Sequence, residues 1–346
     1  MKRFFTLTFL GVVMAGLLAA QTDLQPVAIV RLTRSEPITV KQLKTEVEKM
    51  EKQAGRTLTA TEREQVLDVM INEKLAIQAA ERDRITVSDN ELNQQIQQLR
   101  TNMAQAAGRQ PTEAEFATAV RNETGLDMNA FREQIRRQYL VQKYLMSKKQ
   151  NVLESARPPT EADIVNFYNN AKSQFVRPET VRVSMILVPF GANAADRTKA
   201  RELANRLVQE IGSNAAKFDA AAERAQAPGS GYQSGATYLP RTPQAQQSLG
   251  QELLNVAFNL RQGEISRLVE SPQGYHILKV TETYEVKILN LDDVIEPGSR
   301  VTVRNYITQG LSQQRQQEVI DRAQKELVDE LRRGNNFQVY RNNLNW

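Results

Sequence analysis

Glu264-Ile-Ser-Arg-Leu-Val-Glu-Ser-Pro-Gln-Gly-Tyr-His-Ile-Leu-Lys-Val280 contains His276, the only histidine in a chain of 346 residues. From Gly274 to Thr281 the stretch has the β-branched and aromatic character of a strand, entered through a Pro-Gln-Gly turn. Strand alternation sets His276 on one face and Gln273 and Tyr275 on the other. Upstream, Val181-Arg-Val-Ser-Met-Ile-Leu-Val188 also alternates and offers a second strand, with Met185 near its centre. Helical periodicity between the two predicts helices over Ala195 to Ile211, Lys217 to Arg224 and Gln251 to Leu260, the last ahead of an Arg261-Gln-Gly263 turn. A further strand is predicted over Glu285 to Leu289. These elements make a small mixed α/β unit that begins where Arg177-Pro178 ends a helical region.

The helical region has its own signature. Val40, Leu43, Val47 and Met50 recur at helical spacing, as do Val66, Leu67, Met70, Ile71 and Leu75. Further helices are predicted over Asp89 to about Ala107, Glu113 to Asn122, Asn129 to about Lys148 and Glu161 to Ala171. Pro158-Pro159 breaks the chain between the last two. Thr61 with Glu64, Ser88 with Glu91 and Thr112 with Glu115 each have capping-box spacing, in which hydroxyl and carboxylate satisfy amides reciprocally. Leu92, Ile96, Leu99 and Met103 make a stripe suited to core packing; the competing reading is that Met70, Met103, Met128 and Met146 line an adaptable apolar cradle. Val303, Ile307, Leu311, Val319, Ala323 and Leu327 predict a long helix from about Val301 to Arg333, stopped by Gly334. Two isolated apolar runs, Val27 to Leu32 and Phe337 to Tyr340, lie at opposite ends of the chain and are most economical if they pair.

Composition narrows the function classes. A chain of this length supports two or three domains, and 40% hydrophobic with 25% charged content is ordinary for a globular protein. Met1-Lys2-Arg3 followed by an uncharged run from Phe4 to Ala20 has the form of a secretory signal peptide, with an uncleaved anchor as the alternative. No stable membrane span is expected after cleavage. The chain has no cysteine, so an exported form carries no disulfide and no lipid-acceptor thiol. The formal charge of +5 is spread along the helices without a basic block, which argues against nucleic acid. One histidine and no cysteine also remove the usual zinc and thiol-nucleophile chemistry; carboxylate-only metal sites stay open, although no loop has the required spacing.

The α/β unit resembles a parvulin-type prolyl isomerase domain, on Ala257-Phe-Asn-Leu-Arg-Gln-Gly-Glu-Ile-Ser266 followed by Ser271-Pro-Gln-Gly-Tyr-His-Ile-Leu-Lys-Val280. Glu64 to Leu75, Ile85 to Leu92 and Phe131 to Arg137 are similar to the N-terminal helices of SurA. Over most of the mature sequence the chain thus resembles the SurA, PpiD and PrsA group of extracytoplasmic chaperones. Its layout is nearest SurA, while its room for one parvulin-type domain brings the domain count nearer PrsA or PpiD. The resemblance implies an α+β chain: a signal peptide at 1–20, a mostly helical SurA-like domain at 21–175, an inserted parvulin-like domain at 176–284, and a C-terminal helix and strand at 285–346 that complete the helical domain. It also implies periplasmic or other extracytoplasmic location and binding of unfolded exported or outer-membrane proteins, with no nucleotide, metal or other cofactor.

Carried over residue by residue, the family's site is eroded. His276 is retained as a catalytic candidate, whereas Met185 stands where the family has a second histidine. The family's Cys or Asp falls near Ala225, and its glycine-rich turn is reduced to Gly231-Tyr-Gln-Ser-Gly235. Leu249, Leu253 and Phe258, with Met185 and His276, fall at the proline-pocket positions. Prolyl isomerisation breaks no covalent bond; its barrier of roughly 18–20 kcal/mol is lost amide resonance, so an apolar seat and water exclusion can contribute without a nucleophile. Three readings follow: a chaperone with weak or lost isomerase activity, an active isomerase with a remodelled pocket, or a scaffold for one fixed partner. His276 is then either catalytic or a structural ring bonded to a nearby hydroxyl or backbone group.

Overall fold

The computed structural model describes residues 23–191, 194–344 and 346. The predicted signal segment at 1–20 lies outside the described residues. The described residues divide into two compact units, one made of those up to 157 together with those from 314 onward, the other of those between 158 and 313.

The first unit is discontinuous. Its three-stranded sheet has the order β2-β1-β9, with β1 Pro26–Val30, β2 Glu36–Thr39 and β9 Phe337–Val339. β9 pairs antiparallel with β1 through Ala28↔Val339 and Val30↔Phe337, so the two terminal apolar runs do meet. On its other side β1 pairs antiparallel with β2 through Val30↔Glu36 and Ala28↔Ile38. Val27, Ala28, Val30 and Ile38 are fully buried against α1 (Val40–Ala54) and α2 (Ala60–Arg82), whose Leu43, Ile71 and Leu75 are also fully buried. A second cluster joins α3 (Asp89–Ala107), α4 (Glu113–Thr124) and α5 (Met128–Leu153) around Leu92, Ile96, Phe116, Val120 and Phe131.

Helix starts follow local chemistry. Ser88 with Glu91 and Thr112 with Glu115 form the expected capping boxes. The predicted Thr61–Glu64 box is corrected to Thr59–Glu62. Arg56 decides between the two, because it grips Glu62 through both guanidinium nitrogens, at 3.0 and 2.6 Å, while buried Leu58 fixes the entering chain. The boxes at Thr39–Gln42 and Thr160–Asp163 were not anticipated. Lys149 interrupts α5 with non-helical dihedrals (φ −124°, ψ 24°) and directs its buried ammonium to Glu330 at 2.5 Å and Glu326 at 3.4 Å.

One buried polar side chain organises the β1–β2 turn. Gln78 on α2 is fully buried; its Oε1 accepts from the amides of Leu32 and Thr33, each at 3.0 Å, and of Arg34 at 3.5 Å. Its Nε2 donates to Glu36 at 3.2 Å. Burial works against the Glu36 charge, but hydrogen bonds from Lys74 and Gln78 outweigh it and hold the carboxyl below its ordinary range.

The second unit holds a four-stranded antiparallel sheet of order β5-β4-β7-β6, with β4 Thr180–Pro189, β5 Gln233–Pro240, β6 Val269–Glu270 and β7 Gly274–Tyr284. Gly274 is required where β7 enters, since a Cβ there would stand 2.3 Å from the Val188 carbonyl oxygen. β5 was not predicted; its Gln-Ser-Gly-Ala start lacks the apolar alternation that marks a strand. The predicted strand at 285–289 is shortened to β8 (Lys287–Ile288), which leaves the main sheet and pairs with β3 (Val176–Arg177). α6 (Glu161–Ala171) and the start of α11 (Val303–Arg332) pack with Leu289 in a cluster of their own.

Among the described residues no helix is long and apolar enough to cross a membrane. Replacing Gln78 by Ala strands buried turn amides and is expected to cost about 2–4 kcal/mol, with faster hydrogen exchange at Leu32 and Thr33. Unchanged urea stability and unchanged exchange at those amides would refute this role.

Candidate functional site

The site grows from the β4–β7 ladder. Register pairs Leu187 with His276, Met185 with Leu278 and Val183 with Val280, so these side chains share one face of the sheet. Tyr275 and Ile277 turn to the other face and pack with Ile186, Val188 and Phe218 beneath α7 (Ala194–Ile211) and α8 (Ala215–Arg224). The His276 face is covered by α9 (Pro243–Leu249) and α10 (Gln251–Asn259). There Leu253 is buried and Met185, Leu249 and Phe258 are half-buried in a single cluster with Val183 and Leu278. The four apolar residues named from sequence are therefore brought together on the histidine side of the sheet.

They do not form an open seat. His276 and Leu253 are each only 1% exposed, so neither presents atoms to an incoming ring without a rearrangement. Ala225 lies apart from them: it caps the end of α8 and packs with the cluster on the opposite face. It is Ser271 that sequence reasoning missed. Ser271 precedes a tight turn, closed by its own amide donating to the Gly274 carbonyl at 2.9 Å, and that turn places its hydroxyl on the ring. The Ser-Pro-Gln-Gly run was the available signal, because such runs hold a side chain near the strand that follows.

The hydrogen bonds around the ring assign its tautomer. Nε2 lies 2.7 Å from the Ser271 hydroxyl, and Nδ1 lies 2.9 Å from the Met185 sulfur. A thioether carries no proton, so Nδ1 must be the donor to sulfur. Nε2 is then bare and accepts from the Ser271 hydroxyl, whose oxygen in turn accepts from the Gln273 amide at 3.0 Å. Every polar position of the neutral ring is thereby used. Burial pushes the His276 pKa down from 6.5 to about 4, which keeps the ring neutral at physiological pH. The ring holds two strands and a turn together; it has neither a free proton nor a free lone pair to offer a substrate. Among the described residues no group of three or more His, Cys, Asp or Glu side chains is placed to hold a metal ion.

Comparison with known proteins places this architecture. A model described as a PPIC-type PPIASE domain matches residues 159–296, and one described as a SurA-like N-terminal domain matches residues 2–145. The chain joins a SurA-like N-terminal domain to a PPIC-type parvulin domain. Foldase protein PrsA of Clostridium botulinum is 25% identical over 306 residues, covering 88% of this chain and 81% of the relative. Chaperone SurA of Saccharophagus degradans is 29% identical over 224 residues, covering 63% of this chain and 48% of that protein. Among solved structures, a chain from the work on the SurA-like chaperones PEB4 and Cj1289 of Campylobacter jejuni covers 91% of this chain and 99% of its own. Its identity is 15% and its TM-score 0.39, too low to support any detail of the site.

The matched PPIC-type domain holds the chain's one histidine, and the fold seals it. Since this is the chain's only histidine, an untagged sample gives a single imidazole signal set in long-range 1H–15N spectra. The expected pattern is the neutral Nδ1–H tautomer, unchanged from pH 8 to pH 5.5. A cation or the Nε2–H tautomer in that range would overturn the assignment. Between pH 6.5 and about 4 the unfolded chain takes up a proton that the native ring refuses, so native stability is lost as the pH falls through that window. The loss is of order 3 kcal/mol, and His276→Leu should remove that component of the pH dependence from urea unfolding curves.

Proposed function

We propose that this protein is an extracytoplasmic chaperone that binds unfolded exported or outer-membrane polypeptides, and that its parvulin-like domain has weak or no prolyl isomerase activity. One observation carries the second half of this reading: both nitrogens of His276 are committed, to Ser271 and to Met185. A group that favours a twisted amide must change its interactions as the bond rotates, and this ring is held on both sides.

Binding is supported by apolar side chains that each unit leaves in solvent. Val69 and Met146 are 59% and 55% exposed in the first unit, and Val286, Ile288 and Tyr306 are 65%, 52% and 55% exposed in the second. Such surface suits weak, broad recognition of apolar segments. The methionine cradle is narrower than its sequence suggested, because Met70, Met103 and Met128 pack against core clusters and only Met146 of the four projects outward. The relatives named foldase and chaperone support the same class of activity, and the charged start and apolar run at the N-terminus support export.

The alternative, an isomerase with a remodelled pocket, is favoured by the clustering of Met185, Leu249, Leu253 and Phe258. Exchange NMR on an Ala-Pro peptide separates the two without a coupled protease. The chain lacking residues 1–20 is expected to leave the exchange rate at the blank value, while it suppresses aggregation of an unfolded outer-membrane protein followed by light scattering. Exchange accelerated by the wild type and slowed in His276→Ala would establish the isomerase instead. Failure to suppress aggregation of any unfolded client would remove the chaperone reading.

A further inference from the structure

On its outer face α10 carries Gln251, Asn255 and Asn259, each four residues after the last. All three are exposed and line an open groove of about 790 Å³, together with the 264–267 segment. Half-buried Val256, Leu260 and Ile265 supply its apolar lining. The volume is within the range of ligand-sized clefts. Among the described residues none of the three carboxamides meets a hydrogen-bonding partner, and His276 is not part of the lining.

A carboxamide offers both an N–H donor and a carbonyl acceptor, the same pair that a peptide unit presents. An extended chain leaves such pairs open along each edge, and the groups on one edge repeat every second residue. Four residues of helix advance about 6 Å and two residues of extended chain about 6.6 Å. Over three carboxamides the two repeats drift apart by only about 1 Å, which side-chain torsions absorb.

We propose that this groove binds an extended polypeptide through its backbone, with Gln251, Asn255 and Asn259 as a ladder of paired donors and acceptors. The site rests on the chaperone reading and gives it a place and a chemistry. Recognition of backbone rather than side chains admits clients of unrelated sequence, while Val256, Leu260 and Ile265 favour segments with apolar residues.

The test measures binding of a fluorescent twelve-residue unfolded peptide by anisotropy, using the chain without residues 1–20. A second peptide has the same side chains with alternate backbone nitrogens methylated on one edge. The variant Gln251→Ala/Asn255→Ala/Asn259→Ala alters exposed side chains only and is expected to melt at or slightly above the wild-type temperature, since alanine is the better helix former. It should bind the unmodified peptide about tenfold more weakly, as expected for the loss of several modest hydrogen bonds. The methylated peptide should bind the wild type no better than the unmodified peptide binds the variant. Wild-type affinity in the variant, or full affinity for the methylated peptide, overturns the groove and leaves the chaperone reading standing. Absence of binding by the wild type to either peptide overturns both.

Discussion

The antiparallel contact between β1 and β9 is the constraint from which the chain's organisation follows. Ala28 pairs with Val339, so the first strand finds its neighbour only at the far end of the sequence. A two-stranded hairpin is marginal in water, and β1 with β2 alone would leave Val27 and Val30 poorly covered. The third strand and the packing of Leu327 and Leu331 complete that core. Closing so long a loop is entropically expensive but grows only logarithmically with length, and a folded insert shortens the effective loop. A contiguous unit of residues 158–313 between the two halves is therefore compatible with closure.

Within that insert the central strands carry two separable demands. β4 and β7 must pack on both faces, and the residues that do so are apolar and densely contacted: Val183, Ile186, Val188, Ile277, Leu278 and Val280. A polar group placed among them must have its hydrogen bonds satisfied, or burial costs more than the contact returns. His276 meets that demand by using Ser271 and Met185. A second histidine at the Met185 position could exchange protons with the first; a sulfur can only accept one weakly. Met185 fills the space beside the ring and takes one hydrogen bond from it, and it carries no proton to exchange.

The sequence made legible what depends on near neighbours. Ser88 and Thr112 could be read as helix starts because the partners that cap them lie three residues away. Where two overlapping patterns competed, at Thr59 and Thr61, the choice turned on Arg56 and on burial of Leu58, which spacing alone does not weigh. β5 escaped because Gly235 and Ala236 occupy an edge strand, where little apolar surface is demanded. The histidine face was named through the family resemblance rather than through any local pattern, and the structure puts Met185, Leu249, Leu253 and Phe258 together on that side of the sheet. Its closure was not legible, because exposure is a property of the packed ensemble of α9, α10 and the sheet rather than of any one segment. Gln78 shows the same limit: nothing in α2 marks a glutamine that caps a turn more than forty residues away.

A sealed histidine changes what α10 can contribute. Leu253 and Ala257 occupy the inner face of this helix as fully packed core. Its outer face is free of that duty, and side chains there need only be soluble and helix-compatible. Charged residues meet both needs and keep surfaces from associating. Glu252, Glu264 and Arg267 line the groove as well, but Gln251, Asn255 and Asn259 add uncharged pairs of donor and acceptor beside half-buried apolar side chains. Asparagine is among the poorer helix formers, so two of them in a helix of nine residues weaken it slightly. That small cost has a physical return if the amides bind something that carries backbone groups in regular repeat, as every unfolded polypeptide does.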